Sequence, residues 1–261
     1  MRRFSSEYLR RTRRGMWSDD RSALDGLRLD EISSVLDVGC GDGALTCVLL
    51  EECDEDTEVV GCDADTALLR KNPASCVRGD AHALPFRDSS FELMTCQALL
   101  VNLPEPERAV EEFVRVASER VACVEPDNSA VRVESTVRDE EDVARRSRNL
   151  YLEGVGTEVS LGADAADLLR EAGLKDVTVA RYDHTTVVEP PYSEDDVEAV
   201  KRKASGEAFS ERRGEMAGDE DALDALRDDW RAVGREAAMQ MREGEYRRTE
   251  TVPFYVVVGE L

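Results

Sequence analysis

The stretch SSVLDVGCGDGALTCVLL, residues 33 to 50, decides how the chain is read. An apolar run from Val35 to Val38 leads into glycines at 39, 41 and 43, and then into the apolar-rich ALTCVLLEEC. That is the pattern of a buried strand, a glycine turn and a helix laid back on the sheet. Glycine adopts left-handed backbone without a steric penalty and lets a ligand approach the main chain. Three occupants of the turn come into question: the pyrophosphate of a dinucleotide, the amino-acid end of another nucleotide cofactor, or none.

Outward from the turn, the same rhythm recurs. TEVVGCD (57–63), SCVRGD (75–80), FELMTCQ (91–97), RVACVEP (120–126), DVTVARYD (176–183) and TVPFYVVVGEL (251–261) read as further strands. ADTALLRKN, PERAVEEFVRVAS (106–118) and GADAADLLREAG read as helices, the second with Ala109, Val110, Phe113, Val114 and Ala117 on one face. Strands alternating with helices predict an α/β fold, doubly wound around a mostly parallel sheet, with its ligand at the strands' carboxyl ends. Residues 128–160 and 192–248 break the rhythm; both are acidic and helix-leaning, and they are expected to be helical lid insertions over that crevice. Residues 4 to 29, with Tyr8, Met16, Trp17, Leu24 and Leu27 among many arginines, read as helical. The expected organisation is a helical cap over 1–30 and one domain over 31–261 that carries the two insertions.

Charge sets the chain apart. Its 261 residues hold 57 acidic and 34 basic side chains, a net charge of -23, and only four of the basic residues are lysine. An acidic, lysine-poor surface suits concentrated salt, where screening removes self-repulsion, so a halophilic protein is expected. The acidity argues against a nucleic-acid partner, an argument weakened because a halophile's nucleic-acid enzymes are acidic too. Seven cysteines form no C-x-x-C pair and only His82 and His184 are present, so no metal site and no disulfide framework is readable. The paired arginines near the start are like a twin-arginine export signal, but no apolar stretch follows, and no run approaches the ~20 apolar residues of a membrane span. A cytoplasmic protein without a membrane partner is expected.

Gly39, Gly41 and Ala44 satisfy the loose dinucleotide fingerprint, and Asp63, ending the second strand, suits the ribose of either nucleotide. Asp37 separates the two, because a fixed carboxylate repels a pyrophosphate and attracts an ammonium. In GDAHALPF (79–86), Asp80 stands at a strand end, placed to accept from an exocyclic adenine amine. Ammonium, ribose and adenine on successive strand ends describe S-adenosyl-L-methionine.

In VLDVGCGDG, VVGCDAD, GDAHALPF and FELMTCQALLVNLPEPERAV the chain resembles the class I S-adenosylmethionine-dependent methyltransferases, in particular the small-molecule, quinone-biosynthesis-like (type 11) group. The likeness is close over about 33–125 and looser in FYVVVGEL; with the lysine-poor acidity it points to a haloarchaeal member. It implies a Rossmann-like, seven-stranded sheet whose last strand is antiparallel. It also implies that Gly39, Cys40 and Gly41 offer backbone to the methionine part while Asp37 organises its amino group. Asp63 then holds the ribose hydroxyls, Ala64 lies against the adenine face, and Asp80 with the backbone of Ala81 reads the adenine edge. Gln97 approaches the amino group or the methyl. Among Arg11, Arg13 and Arg14, Arg14 is assigned to the methionine carboxylate, and Trp17 shields the pocket. The histidine or aromatic frequent after strand four in the family is replaced here by CQALLVNL.

Methyl transfer needs a base only when the acceptor must lose a proton early, and Glu125 and His184 are the candidates. EPPY (189–192) follows strand six rather than strand four, which sets aside methylation of base amines. The expected function is methyl transfer to a small molecule. Methyl transfer to RNA or protein, with the arginine-rich segment docking the polymer, is an alternative. Another is a non-catalytic sensor or partner subunit that binds the same cofactor. The oligomeric state is left open.

Overall fold

The computed structural model describes residues 9, 10 and 12–261; Tyr8 and Arg11 of the expected cap lie outside them. The chain divides into two compact units. The first comprises the chain up to Asp127 with Leu161–Tyr182 and Pro253–Leu261; the second comprises Asn128–Ser160 and Asp183–Val252.

The first unit is built on strands β1 (Ser34–Val38), β2 (Glu58–Asp63), β3 (Ser75–Arg78), β4 (Phe91–Gln97) and β5 (Ala117–Pro126), with β6 (Arg132–Ser135) following in the second unit. β7 (Lys175–Val188) and β8 (Arg248–Glu260) each run through both units. The strand order is β3-β2-β1-β4-β5-β8, and β7 also pairs with β8. β1 to β5 are parallel, whereas β8 runs antiparallel to β5 from Arg120↔Glu260 to Pro126↔Phe254. β4 and β5 are buried over most of their length, as expected where helices cover both faces of a parallel sheet. Around them lie α1 (Ala44–Glu52), α2 (Thr66–Leu69), α3 (Pro106–Val116) and α5 (Ala165–Glu171), while α4 (Glu140–Gly154) belongs to the second unit. α3 starts with proline at its first turn, where the missing N–H costs nothing, and buries Ala109, Val110, Phe113 and Val116. Sequence order reverses between β1 and β4, so the ligand crevice of such a sheet opens beside the ends of these two strands.

The described part of residues 4–29 does not form one helix. Left-handed backbone at Gly15 (φ 74°) and Trp17 (φ 67°) interrupts the segment, and two short 3-10 turns follow at Ser22–Leu27 and Leu29–Glu31. Trp17, Leu24 and Leu27 are buried, so the segment packs as part of the first unit.

The second unit has its own apolar core, in which Val143, Val200, Phe209, Leu226, Val233 and Tyr246 are buried. Its helices are α4, α6 (Glu194–Ser205), α7 (Glu207–Ser210) and α8 (Glu220–Glu243). Ser193 and Asp196 form a reciprocal capping box on α6, and Asp219 caps α8. At Gly234 an added Cβ would stand 2.4 Å from the Ala204 nitrogen, so α6 and α8 cross in backbone contact that only glycine permits. The first stretch expected to be helical also contains β6, paired antiparallel with the leading end of β8 from Arg132↔Thr251 to Ser135↔Arg248. Among the described residues the strands therefore number eight, one more than the resemblance implies. Four residues are too few for an alternating pattern to show. The later stretch of this unit starts at Asp183, ahead of residue 192. No helix among the described residues is long and apolar enough to cross a membrane.

Candidate functional site

Gly39, Gly41 and Gly43 all take left-handed backbone (φ 70°, 54° and 99°), folding the turn tightly between β1 and α1. The turn's donors are spent inside the chain. The N–H groups of Gly39 and Cys40 donate to the Cys62 carbonyl at 2.7 and 3.3 Å, and that of Gly41 donates to Asp63 Oδ2 at 3.0 Å. A phosphate cradle needs those N–H groups turned toward the ligand. This turn withholds them and is not built for an anion.

Asp37 lies beneath the turn, 1% exposed. Its Oδ2 accepts from Thr46 Oγ1 at 2.6 Å, while Oδ1 has no partner among the described residues. Burial pushes this carboxyl up from 3.8 to about 7, against the opposing pull of the Thr46 hydroxyl and the Arg13 charge. The register pairs Asp37 with Thr95 on β4, and Gln97 follows two residues on, so the three side chains share one face of the sheet. Thr95 Oγ1 and Gln97 Nε2 are likewise buried without a partner. A buried, unsatisfied polar atom is costly, and three on one face make this the candidate place for a polar ligand. Thr95 carries no signal in the sequence; only its register beside Asp37 reveals it.

The other predicted residues sit in the glycine turn, at or just after the ends of β2 and β3, and on the amino-terminal segment. Asp63 is half-buried and also receives the Asp65 N–H, at 2.8 Å on Oδ1. A carboxylate offers about four lone-pair sites, so capacity for ligand hydroxyls remains. Ala64 is exposed and Ala81 buried. Asp80 stays largely exposed, and its pKa is lowered chiefly by the N–H of His82, which donates at 3.0 Å. Cys40 is buried, and burial pushes its thiol far up, so it is no nucleophile. Arg13 is half-buried and its charge reaches both Asp37 and Glu125, whereas Arg14 is exposed.

Both candidate bases are buried. Glu125 is fully buried rather than facing open crevice. Its Oε1 accepts from the N–H groups of Leu99 and Leu100 at 3.0 and 2.9 Å, and Oε2 from that of Val101 at 3.3 Å. Burial raises its carboxyl to about 7 even against those three bonds. Its observed work is to hold the segment leaving β4. The side chain of Leu99 is thereby pressed onto the turn, where a Cβ at Gly39 would meet Leu99 Cδ1 at 2.8 Å. Glu125→Ala is expected to cost about 3 kcal/mol, since it strands three buried donors and leaves a cavity; a urea melt reads it. His184 is 2% exposed within β7, not on a loop, and belongs to the second unit.

The amino-terminal segment closes over the same region. Leu9 is buried against the turn, its Cδ1 3.2 Å from where a Cβ on Gly41 would be. Trp17 is 1% exposed, donates its indole N–H to Gln97 Oε1 at 2.9 Å and stacks on Tyr182 at 4.2 Å between ring centroids. The partnership with Tyr182 is invisible in the sequence, because 165 residues separate the two.

Residues 36–124 match the family model described as a methyltransferase domain. The chain is 30% identical over 173 residues to demethylmenaquinone methyltransferase of Shouchella clausii, covering 58% of this chain and 74% of that one. It is 33% identical over 128 residues to the enzyme of the same name from Lactiplantibacillus plantarum, covering 43% of this chain and 54% of that one. Among solved structures, a candidate methyltransferase of Bacillus halodurans superposes with a TM-score of 0.53 at 16% identity, over 92% of this chain and 98% of that one. The complex of the Haloferax volcanii Trm112 methyltransferase activator with a candidate methyltransferase gives 0.52 at 17% identity, over 98% of this chain and 92% of that one. These two likenesses concern the fold.

Proposed function

Because this chain belongs to the class I S-adenosylmethionine-dependent methyltransferases, we propose that its acceptor is a small, apolar, ring-bearing molecule. The observation that carries this reading is the apolar wall at the glycine turn, where Leu9 and the Glu125-held Leu99 lie against Gly41 and Gly39. Such a wall excludes water and favours an apolar acceptor, while a net charge of -23 disfavours a polyanion. The demethylmenaquinone methyltransferases among the relatives carry a name that fits such an acceptor.

The residues present fit S-adenosylmethionine. Asp37 Oδ1 is the buried acceptor for its ammonium, and the turn keeps its own N–H donors away from that charge. Backbone of Gly39, Cys40 and Gly41 borders the methionine part, and Asp63 has lone pairs left for the ribose hydroxyls. Ala64 would lie on the adenine face, with Asp80 and the Ala81 backbone at its edge. Arg13 takes the place of Arg14 toward the carboxylate. The cofactor supplies a sulfonium-activated methyl group for in-line displacement. The protein contributes alignment and a dry wall, while Glu125 stays committed to the β4 exit segment. With Glu125 so committed, we read the acceptor as nucleophilic in its own ionised or electron-rich form.

Titration calorimetry of S-adenosylmethionine and S-adenosylhomocysteine in molar salt tests the site, with Asp63→Ala alongside. Micromolar binding that weakens by about 100-fold in the variant is expected, from two charge-assisted bonds to ribose. A folded wild type that binds neither compound overturns the reading. Transfer of labelled methyl to RNA or protein, but not to quinol-type acceptors, overturns the acceptor. We further read the chain as cytoplasmic and halophilic. Its melting temperature is then expected to rise between about 0.1 M and 1 M salt, as the screening length falls from ~10 to ~3 Å.

A further inference from the structure

An indole N–H donates and never accepts, so the bond from Trp17 fixes the Gln97 amide: the oxygen must face Trp17 and the NH2 must face away. Gln97 is 3% exposed, and this Nε2 is one of the three buried, unpartnered atoms on the shared face. Asp37 Oδ1 on that face is an acceptor, Thr95 Oγ1 can donate or accept, and Gln97 Nε2 can only donate. That is the complement of a zwitterion, with ammonium at Asp37 and an anionic oxygen at Gln97. Trp17 is itself firmly set. Its backbone N–H donates to the Tyr182 hydroxyl at 3.1 Å, and its ring stacks on Tyr182 with planes 27° apart. It also holds left-handed backbone (φ 67°), an uncommon state for a bulky residue that persists where surroundings enforce it.

Resting on the cofactor reading above, we infer that Trp17 is a positioning residue that locks the Gln97 amide so that its NH2 receives the α-carboxylate of the cofactor's methionine part. This revises the expectation that Gln97 approaches the amino group or the methyl. An amide free to flip would offer its oxygen equally well and would repel that carboxylate. The locked amide makes the site selective for the intact amino acid.

Decarboxylated S-adenosylmethionine, which keeps the ammonium and lacks the carboxylate, is the discriminating probe. Affinities of both ligands are measured by titration calorimetry for wild type, Trp17→Phe and Gln97→Glu. Phenylalanine keeps a ring on Tyr182 and loses the N–H. Glutamate still accepts the indole bond and puts a second oxygen where the NH2 stood. Gln97→Glu is expected to weaken S-adenosylmethionine by about 30-fold and to leave the decarboxylated ligand unweakened. Trp17→Phe is expected to weaken the intact ligand by about five-fold and the decarboxylated one by less than two-fold. Equal losses for both ligands in Gln97→Glu would overturn the assignment of the carboxylate. An unchanged preference in a folded Trp17→Phe would overturn the locking role. Should Trp17→Phe not fold, the Gln97→Glu comparison still decides the ligand group. Wild type that binds neither ligand would sink the cofactor reading itself, an outcome distinct from these.

Discussion

Asp37→Asn is expected to abolish most cofactor binding while making the free protein more stable. The carboxyl's pKa is raised by burial from 3.8 to about 7. Between those values the folded state holds a proton that the unfolded chain has lost, so stability falls as pH rises through this window. Above about pH 7 the penalty is on the order of 4 kcal/mol, and asparagine, which cannot ionise, removes much of it. The variant should unfold at higher urea concentration at pH 8 and close to wild type near pH 4. Binding should move oppositely. An ammonium loses its charged partner, a loss of about 100-fold. Wild-type affinity should also fall about ten-fold for each pH unit below 7, as the free carboxyl takes up its proton, while the variant stays flat. Calorimetry across pH 5 to 8 checks both signs. Affinity of Asp37→Asn equal to wild type at pH 8 would remove Asp37 from the site.

The largest loss of stability is expected from Glu140→Ala in the second unit. Glu140 is 1% exposed and gathers Lys203, the Arg248 guanidinium (3.3 Å), the Tyr246 hydroxyl (3.1 Å) and Ser135 Oγ (2.5 Å). Burial works to raise its carboxyl, but Lys203 and Arg248 outweigh that and hold it below 4.5. The same burial lowers the pKa of Lys203, whose ammonium also sits 5.1 Å over the Trp230 ring. Removing the carboxylate leaves two cations in the interior with less compensation, which costs about 3–5 kcal/mol. With a folded pKa below the unfolded one, the stabilisation is present above about pH 4.5 and fades as pH falls through the folded value. Urea denaturation at pH 7 should show a lower midpoint at unchanged slope. A midpoint shift worth less than about 1 kcal/mol would mean that the cluster merely fills space.

The alternation of β1, α1 and β2 is legible because burial on both faces of a parallel sheet demands unbroken apolar runs, and those survive in a single sequence. SVLDV, EVVGCD and FELMTCQ lie within the stretches read from composition alone. RVES does not, because its place in β6 comes from a partner on β8 more than a hundred residues away. The amino-terminal segment misleads for a related reason. Its apolar residues fit a helical face, yet Trp17 is bound by Tyr182 and Gln97 in a backbone state that no helix allows.

The site divides the same way. Asp37, Asp63 and Asp80 stand out in the chain as candidates because each ends or borders a strand, where a charge suits few ligands. That the turn refuses an anion depends on where its N–H groups point, which is set by the Cys62 carbonyl and the Asp63 carboxylate across the neighbouring strand. Glu125 looks like a base in sequence and acts as a brace in the fold, since three amides from the β4 exit reach it first. Arg13 and Arg14 are equivalent as letters, and only the fold leaves the first half-buried, with its charge felt at Asp37, and the second exposed. Local apolar patterning thus fixed most of the strands and the glycine turn between β1 and α1, because hydrophobic burial acts at short range along the chain. The direction of each donor and the partner of each buried side chain were decided by tertiary packing, because a hydrogen bond depends on angle and distance between residues the sequence keeps far apart.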